Sequence, residues 1–133
     1  MQENNTRDFI VIDDDFINNV ICETVIKKEF QGMKIDIFTI PKKGIEYINT
    51  TYSKPDSNDA VVFLDINMPA LNGWDVLDEL NSSPEQVQQH LSIFILSSSL
   101  TPEDKQKADA APLVSGYIEK PLKISDLNNI IAT

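Results

Sequence analysis

A chain of 133 residues with 41% apolar content is long enough to bury one ordinary domain core without disulfides or a structural metal. Its 11 Lys+Arg against 21 Asp+Glu, a formal charge of −10, would repel a phosphate backbone and leave no basic stripe, so nucleic acid is excluded as a direct partner. No stretch reaches the apolar length of a membrane-spanning helix, and Met1 to Asp8 lacks the basic start and apolar run of a secretory signal, so the expected compartment is the cytoplasm.

Phe9 to Ile12 is a short, β-branched apolar run that reads as a buried strand and leads straight into Asp13, Asp14 and Asp15. From Phe16 the period changes: Ile17, Val20, Ile21, Val25 and Phe30 fall near one face at helical spacing, and Gly32 is the stop. Cys22, the single cysteine, lies within that segment and reads as a small helical residue, since alone it makes neither a disulfide nor a zinc site. Ile35 to Ile40 returns to β-type residues, and Pro41 ends that strand and opens a helix carrying Ile45, Ile48 and Tyr52. After the polar loop Ser53 to Asp59, the run Ala60 to Leu64 makes a third buried strand that delivers Asp65 at its carboxyl end. A loop with Pro69 and Gly73 precedes a helix from about Trp74 to Leu80. Asn81 to His90 reads as loop or frayed helix, with His90, the one histidine, at the surface. Ile93 to Leu96 is the fourth strand and ends in Ser97, Ser98 and Ser99. Thr101, Pro102 and Asp104 form an N-cap and capping-box arrangement for a fourth helix that offers mostly Ala as apolar surface. Gly116 to Ile118 is a weak fifth strand leading to Lys120 and Pro121, and Ile124, Leu127 and Ile131 mark a last helix.

Strand and helix alternating at this short spacing favour a parallel sheet covered on both faces, in which ligands bind beyond the carboxyl ends of the strands. Those ends carry Asp13 and Asp14, then Asp65, Ser97 and Lys120, residues far apart in the chain. Taken alone, the acidic triplet reads as a solvated turn, Ser97 as a turn residue and Lys120 as a surface lysine. Gathered at one rim they read differently. Neighbouring carboxylates oppose joint ionisation unless a cation is present, and magnesium takes oxygen ligands from one or two carboxylates plus a phosphate oxygen. Asp14 and Asp65 as direct ligands, with Asp13 acting through water, meet that demand. A carboxylate can also attack phosphorus, and the acyl phosphate then needs its charge met from several sides, which the Lys120 ammonium and the Ser97 hydroxyl supply.

The segments Val11-Ile12-Asp13-Asp14-Asp15, Phe63-Leu64-Asp65-Ile66-Asn67-Met68-Pro69, Asn72-Gly73, Ile95-Leu96-Ser97-Ser98 and Glu119-Lys120-Pro121-Leu122 occur in the order of the response-regulator receiver family, which this chain resembles over almost its whole length. The resemblance implies an α/β, flavodoxin-like, doubly wound (βα)5 fold with strand order 2-1-3-4-5. It implies that Asp65 is the phosphoacceptor and that Asp14, Asp65 and the backbone carbonyl of Asn67 bind Mg2+ with the help of Asp13. Ser97 and Lys120 would sense the phosphate, and the Lys120–Pro121 bond would be cis. Phe16 stands where the family often has proline, and Ser97 where threonine is commoner, although serine keeps the hydroxyl. Tyr117 matches the aromatic that turns inward in this family when the hydroxyl residue moves, and it reads equally as a strand aromatic packing on the last helix. Trp74 reads as helix packing near the site, with no catalytic role.

Three functions follow from these readings. The leading one is a signalling switch in which a sensor histidine kinase or histidine phosphotransfer protein donates a phosphoryl group to Asp65. Residues 1–133 are then expected to be a single receiver domain, with its core at about 8–132 and no output domain after Thr133. Such a chain would act on a separate protein target or pair with itself, and its only catalysis would be its own phosphorylation and slow dephosphorylation. A pseudo-receiver that binds a partner without phosphorylation conflicts with intact Asp13, Asp14, Asp65, Ser97 and Lys120. A magnesium-dependent phosphohydrolase of the haloacid-dehalogenase kind would carry a second Asp two residues after the nucleophile, where this chain has Asn67, which cannot transfer a proton in that way.

Overall fold

The continuous apolar runs pair into one parallel sheet: β1 (Arg7–Ile12), β2 (Ile35–Phe38), β3 (Asp59–Asp65), β4 (Leu91–Ser97) and β5 (Val114–Glu119), in the spatial order β2-β1-β3-β4-β5. Between and after them lie α1 (Phe16–Glu29), α2 (Pro41–Thr51), α3 (Gly73–Asn81), α4 (Glu85–Gln88), α5 (Pro102–Ala110) and α6 (Ile124–Ala132). This is the expected doubly wound fold with one short helix added. The computed structural model describes residues 7–69 and 72–132. Met1 to Thr6 of the amino-terminal stretch and the side chain of Ile131 lie outside the described residues.

Side chains alternate across a strand, so a sheet covered on both faces builds two apolar layers. Phe9, Val11, Val61, Phe63 and Leu96 face α1 and α6, where Cys22, Ile26, Leu127 and Ile130 complete one layer. Ile10, Ile12, Val62, Leu64, Ile93 and Ile95 face the other way, against Ile45 and Ile48 of α2, Val76, Leu77 and Leu80 of α3, and Ala108 of α5. Ala108 is the one fully buried residue of α5, whose start is held by the expected capping box between Thr101 and Asp104. With one buried residue against four each in α2 and α3, α5 has fewer apolar anchors on this face than either of them. The weak fifth strand is longer than its sequence suggests because a bulge at Ser115 restores pairing, Ile93 opposing Val114 and Phe94 opposing Gly116.

Three readings are corrected. The buried face of α1 is Asn18, Asn19, Cys22 and Ile26, whereas Phe16, Ile17 and Val20 are 73%, 69% and 45% exposed. The stretch before β4 contains α4, whose Val87 is buried and whose Gln88 amide donates to the carbonyls of Asn81 and Ser83 at 3.0 and 2.7 Å. His90 is buried rather than at the surface: Nε2 donates to the Lys54 carbonyl at 2.9 Å and Nδ1 faces the Asp59 carboxylate at 3.2 Å. Burial of an imidazole is tolerated because both ring nitrogens find partners. The ring thereby ties the loop after α2 to the start of β4.

Candidate functional site

Parallel register brings the strand ends level. Ile12 pairs with Leu64, so the residues that follow them, Asp13 and Asp65, emerge side by side. Asp65 in turn pairs with Leu96, the residue before Ser97, and the Lys120 N–H donates to the Ser97 carbonyl at 2.8 Å. Asp13, Asp65 and Ser97 are all buried, while Asp14 is exposed at the mouth of the crevice. Carboxylate oxygens of Asp13, Asp14 and Asp65 lie within 4.8 Å of one another. The structure thus gathers the acidic residues singled out in the sequence.

The acidic triplet divides its work. Asp15 caps α1, its Oδ1 accepting from the N–H groups of Ile17 and Asn18 at 3.0 and 3.3 Å. Asp13 turns inward, where Oδ1 accepts from the Asp15 N–H at 2.9 Å and Oδ2 from the Asn18 amide at 2.7 Å. The Asn19 amide donates to the Asp13 backbone carbonyl at 2.9 Å. Asn18 and Asn19 were missed as site residues in the sequence. Their signal was faint: two adjacent asparagines in the first turn of a helix that follows an acidic run.

Lys120 Nζ lies 3.0 Å from Asp13 Oδ2 and 3.5 Å from Asp65 Oδ1. Burial works against its charge, but the hydrogen bond and charge of Asp13, with the charge of Asp65, outweigh it and hold the ammonium pKa above the ordinary lysine value. For Asp65 burial dominates. Opposed by the Asn67 N–H bond and by Lys120, and reinforced by the neighbouring Asp13 charge, it pushes the carboxyl from 3.8 up to about 6. The peptide between Lys120 and Pro121 is cis. Burial also pushes the Cys22 thiol up to about 12, so this cysteine is an inert packing residue.

The Asn67 N–H donates to Asp65 Oδ1 at 3.1 Å, and its side-chain amide donates to Ser97 Oγ, also at 3.1 Å. Close packing on the other side of Asp65 comes from Gly73. A Cβ there would stand 2.5 Å from the Asp65 carbonyl oxygen and 2.7 Å from Ile66 Cα, so no larger residue fits without moving backbone. Farther out, Tyr117 is 36% exposed with Lys105 Nζ 5.8 Å from its ring centroid, and Lys107 Nζ lies 5.4 Å from the Trp74 centroid. The two lysines of α5 thereby bridge to β5 on one side and α3 on the other.

Chemically, an all-oxygen set with two buried carboxylates and one at the mouth suits a hard divalent cation. The raised Asp65 pKa is the electrostatic strain that such a cation would relieve.

A family model described as the response regulator receiver domain matches residues 9–132. A crystal structure of a two-component response regulator from Cytophaga hutchinsonii superposes with a TM-score of 0.86 at 31% identity, covering 96% of this chain and 95% of that one. A two-component response regulator of Oryza sativa subsp. japonica is 30% identical over 84% of this chain and 92% of its own length. A hybrid signal transduction histidine kinase of Dictyostelium discoideum is 28% identical over 92% of this chain. The chain spans only 7% of that kinase, and 13% and 25% of two further curated relatives. The chain belongs to the response regulator receiver family of two-component signalling. Members of this class are signalling domains that generally accept a phosphoryl group and bind Mg2+ in an acidic pocket. Among the described residues no helix is long and apolar enough to cross a membrane.

Proposed function

We propose that this chain is a working phosphoacceptor whose nucleophile is Asp65, and that it takes the phosphoryl group from a sensor histidine kinase or histidine phosphotransfer protein. The observation that carries the reading is the placement of Asp65, buried at the end of β3 within reach of Asp13, Asp14 and Lys120. In the transfer, a carboxylate oxygen of Asp65 forms a bond to phosphorus while the bond from phosphorus to the donor imidazole nitrogen breaks, and that nitrogen keeps the electron pair. Asp14, Asp65 and the Asn67 carbonyl would hold Mg2+, with Asp13 assisting through water. When bound, the ion supplies positive charge to the phosphoryl oxygens. Lys120 supplies a second positive charge from the β5 side and orients the acyl phosphate, while burial of Asp65 restricts the approach of water.

A protein donor must cover the mouth of this crevice to bring its imidazole to Asp65. The first turns of α1, beside that mouth, expose Phe16, Ile17 and Val20, apolar groups that gain by being covered. This supports a protein, rather than a small molecule alone, as the natural donor. Ser97 and Tyr117 would carry the response outward, Ser97 by moving toward the phosphoryl oxygens and Tyr117 by turning inward from its exposed position. The lightly anchored α5 is the element whose equilibrium the change would bias. A downstream protein target or a second copy of this chain would read the change.

Intact mass after incubation with acetyl phosphate and magnesium tests the reading. Wild type should gain one phosphoryl group, and Asp65→Asn or omission of magnesium should prevent it. An unmodified wild-type mass would favour a receiver that binds its partner without phosphorylation.

A further inference from the structure

The Ser97 hydroxyl is fully committed. Its hydrogen goes to the Ser99 carbonyl at 3.0 Å, and its oxygen accepts from the Ser99 N–H and from the Asn67 amide, each at 3.1 Å. A hydroxyl offers one donor and two acceptor positions, so nothing is left for a new partner. Ser97 is completely buried, and no solvent can stand in for a bond that is given up. To donate to a phosphoryl oxygen on Asp65, the side chain must first leave this set.

The three bonds differ in kind. The two to Ser99 are local, within one turn of backbone, and reform whenever Ser97 returns to its present rotamer. The Asn67 bond joins the loop after β3 to the end of β4, thirty residues along the chain. The same residue donates its backbone N–H to Asp65 Oδ1. Asn67 therefore holds the nucleophile through its main chain and the hydroxyl through its side chain. Its side chain is exposed rather than packed in the core, so no burial requirement explains an amide there.

We propose that Asn67 is a positioning residue whose side-chain amide latches the Ser97 hydroxyl in the unmodified protein and so sets the resting bias of the switch. The proposal rests on the reading of Asp65 as phosphoacceptor and of Ser97 as the hydroxyl that answers it. An acyl phosphate on Asp65 withdraws the carboxylate that the Asn67 N–H now binds and puts phosphoryl oxygens within the crevice. The loop that carries the latch is thus disturbed by the event to which Ser97 must respond. A neutral donor suits this task. An acidic side chain at residue 67 would accept from Ser97 instead of donating, and would place negative charge beside the phosphate.

The test is a double-mutant cycle read by the affinity of beryllofluoride with magnesium, followed through amide shifts from Leu100 to Lys120. Asn67→Ala and the near-isosteric Asn67→Leu are each made in wild-type and Ser97→Ala backgrounds. Releasing one neutral hydrogen bond from the resting state should make beryllofluoride affinity about fivefold more favourable in the Ser97 background than the same substitution makes it in the Ala background. A ratio within about twofold of unity, the range expected of independent sites, overturns the latch. So does a ratio of opposite sign, which would mean that Asn67 holds Ser97 in the bound state. Magnesium affinity without fluoride is measured for all variants; the same coupling seen there would assign the effect to the metal and also overturn the proposal. Failure of wild type to bind beryllofluoride at all would instead sink the phosphoacceptor reading beneath it.

Discussion

Asn18 Nδ2 donates to Asp13 Oδ2 at 2.7 Å, and this buried bond accounts for the rotation of α1. Turning Ile17 and Val20 inward would withdraw the buried Cys22 and Ile26 from the core in exchange, and would break the Asn18 and Asn19 bonds to Asp13. A hydrogen bond to a charged group contributes about 1.5–3 kcal/mol, and the exchange of one apolar pair for the other largely cancels. The polar face therefore wins.

Asn18→Ala should accordingly lower stability by about 1.5–3 kcal/mol in chemical denaturation, with an unchanged slope. The loss should largely vanish when Asp13 is already Ala. An Asn18→Ala effect below about 0.5 kcal/mol would show that the bond is incidental.

Asp65 makes stability depend on pH. Its folded-state pKa of about 6 lies above the ordinary 3.8, so the native chain holds the proton more tightly than the unfolded chain does. That contribution is fully present below about pH 4 and is lost as pH rises through about 6. In a chelator, Asp65→Asn should be more stable than wild type by about 2–3 kcal/mol near pH 8, with the gap closing toward pH 4. Thermal denaturation of both proteins across this range checks it. A gap that stays constant with pH would mean that the substitution acts through packing.

Gly73→Ala places a methyl group 2.5 Å from the Asp65 carbonyl oxygen, where relief requires backbone movement. The substitution should destabilise by about 1–3 kcal/mol and slow phosphorylation by acetyl phosphate at least about tenfold, because the backbone from Asp65 at the end of β3 to Asn67 shifts. Rates measured by intact mass at saturating magnesium decide it. An unaffected rate would remove Gly73 from the list of residues that position the site.

Phe16→Ser and Ile17→Ser change groups that are 73% and 69% exposed, so the fold should stay within about 0.5 kcal/mol of wild type. Modification by acetyl phosphate should proceed at the wild-type rate, while transfer from a phosphorylated histidine protein should slow. Equal slowing with both donors would place these residues in the chemistry rather than in docking.

The strand ends are legible in the linear pattern because a strand buried on both faces must be a nearly unbroken apolar run. Asp13, Asp65 and Ser97 stand out as the polar residues that end such runs, and parallel pairing of Ile12 with Leu64 and Asp65 with Leu96 then brings those ends together. The capping box of α5 is legible for a similar reason, since the side chains of Thr101 and Asp104 bond to each other's backbone three residues apart. The inward face of α1 is not legible. Its apolar spacing points to Ile17 and Val20, and only a carboxylate arriving from β1 makes Asn18 the better inward residue. His90 is hidden in the same way, because its partners, the Lys54 carbonyl in the loop after α2 and Asp59 at the start of β3, lie more than thirty residues earlier. Hydrogen-bond partners distant in sequence leave no periodicity, so the burial of a polar side chain is settled only when the folded chain brings its partner to it.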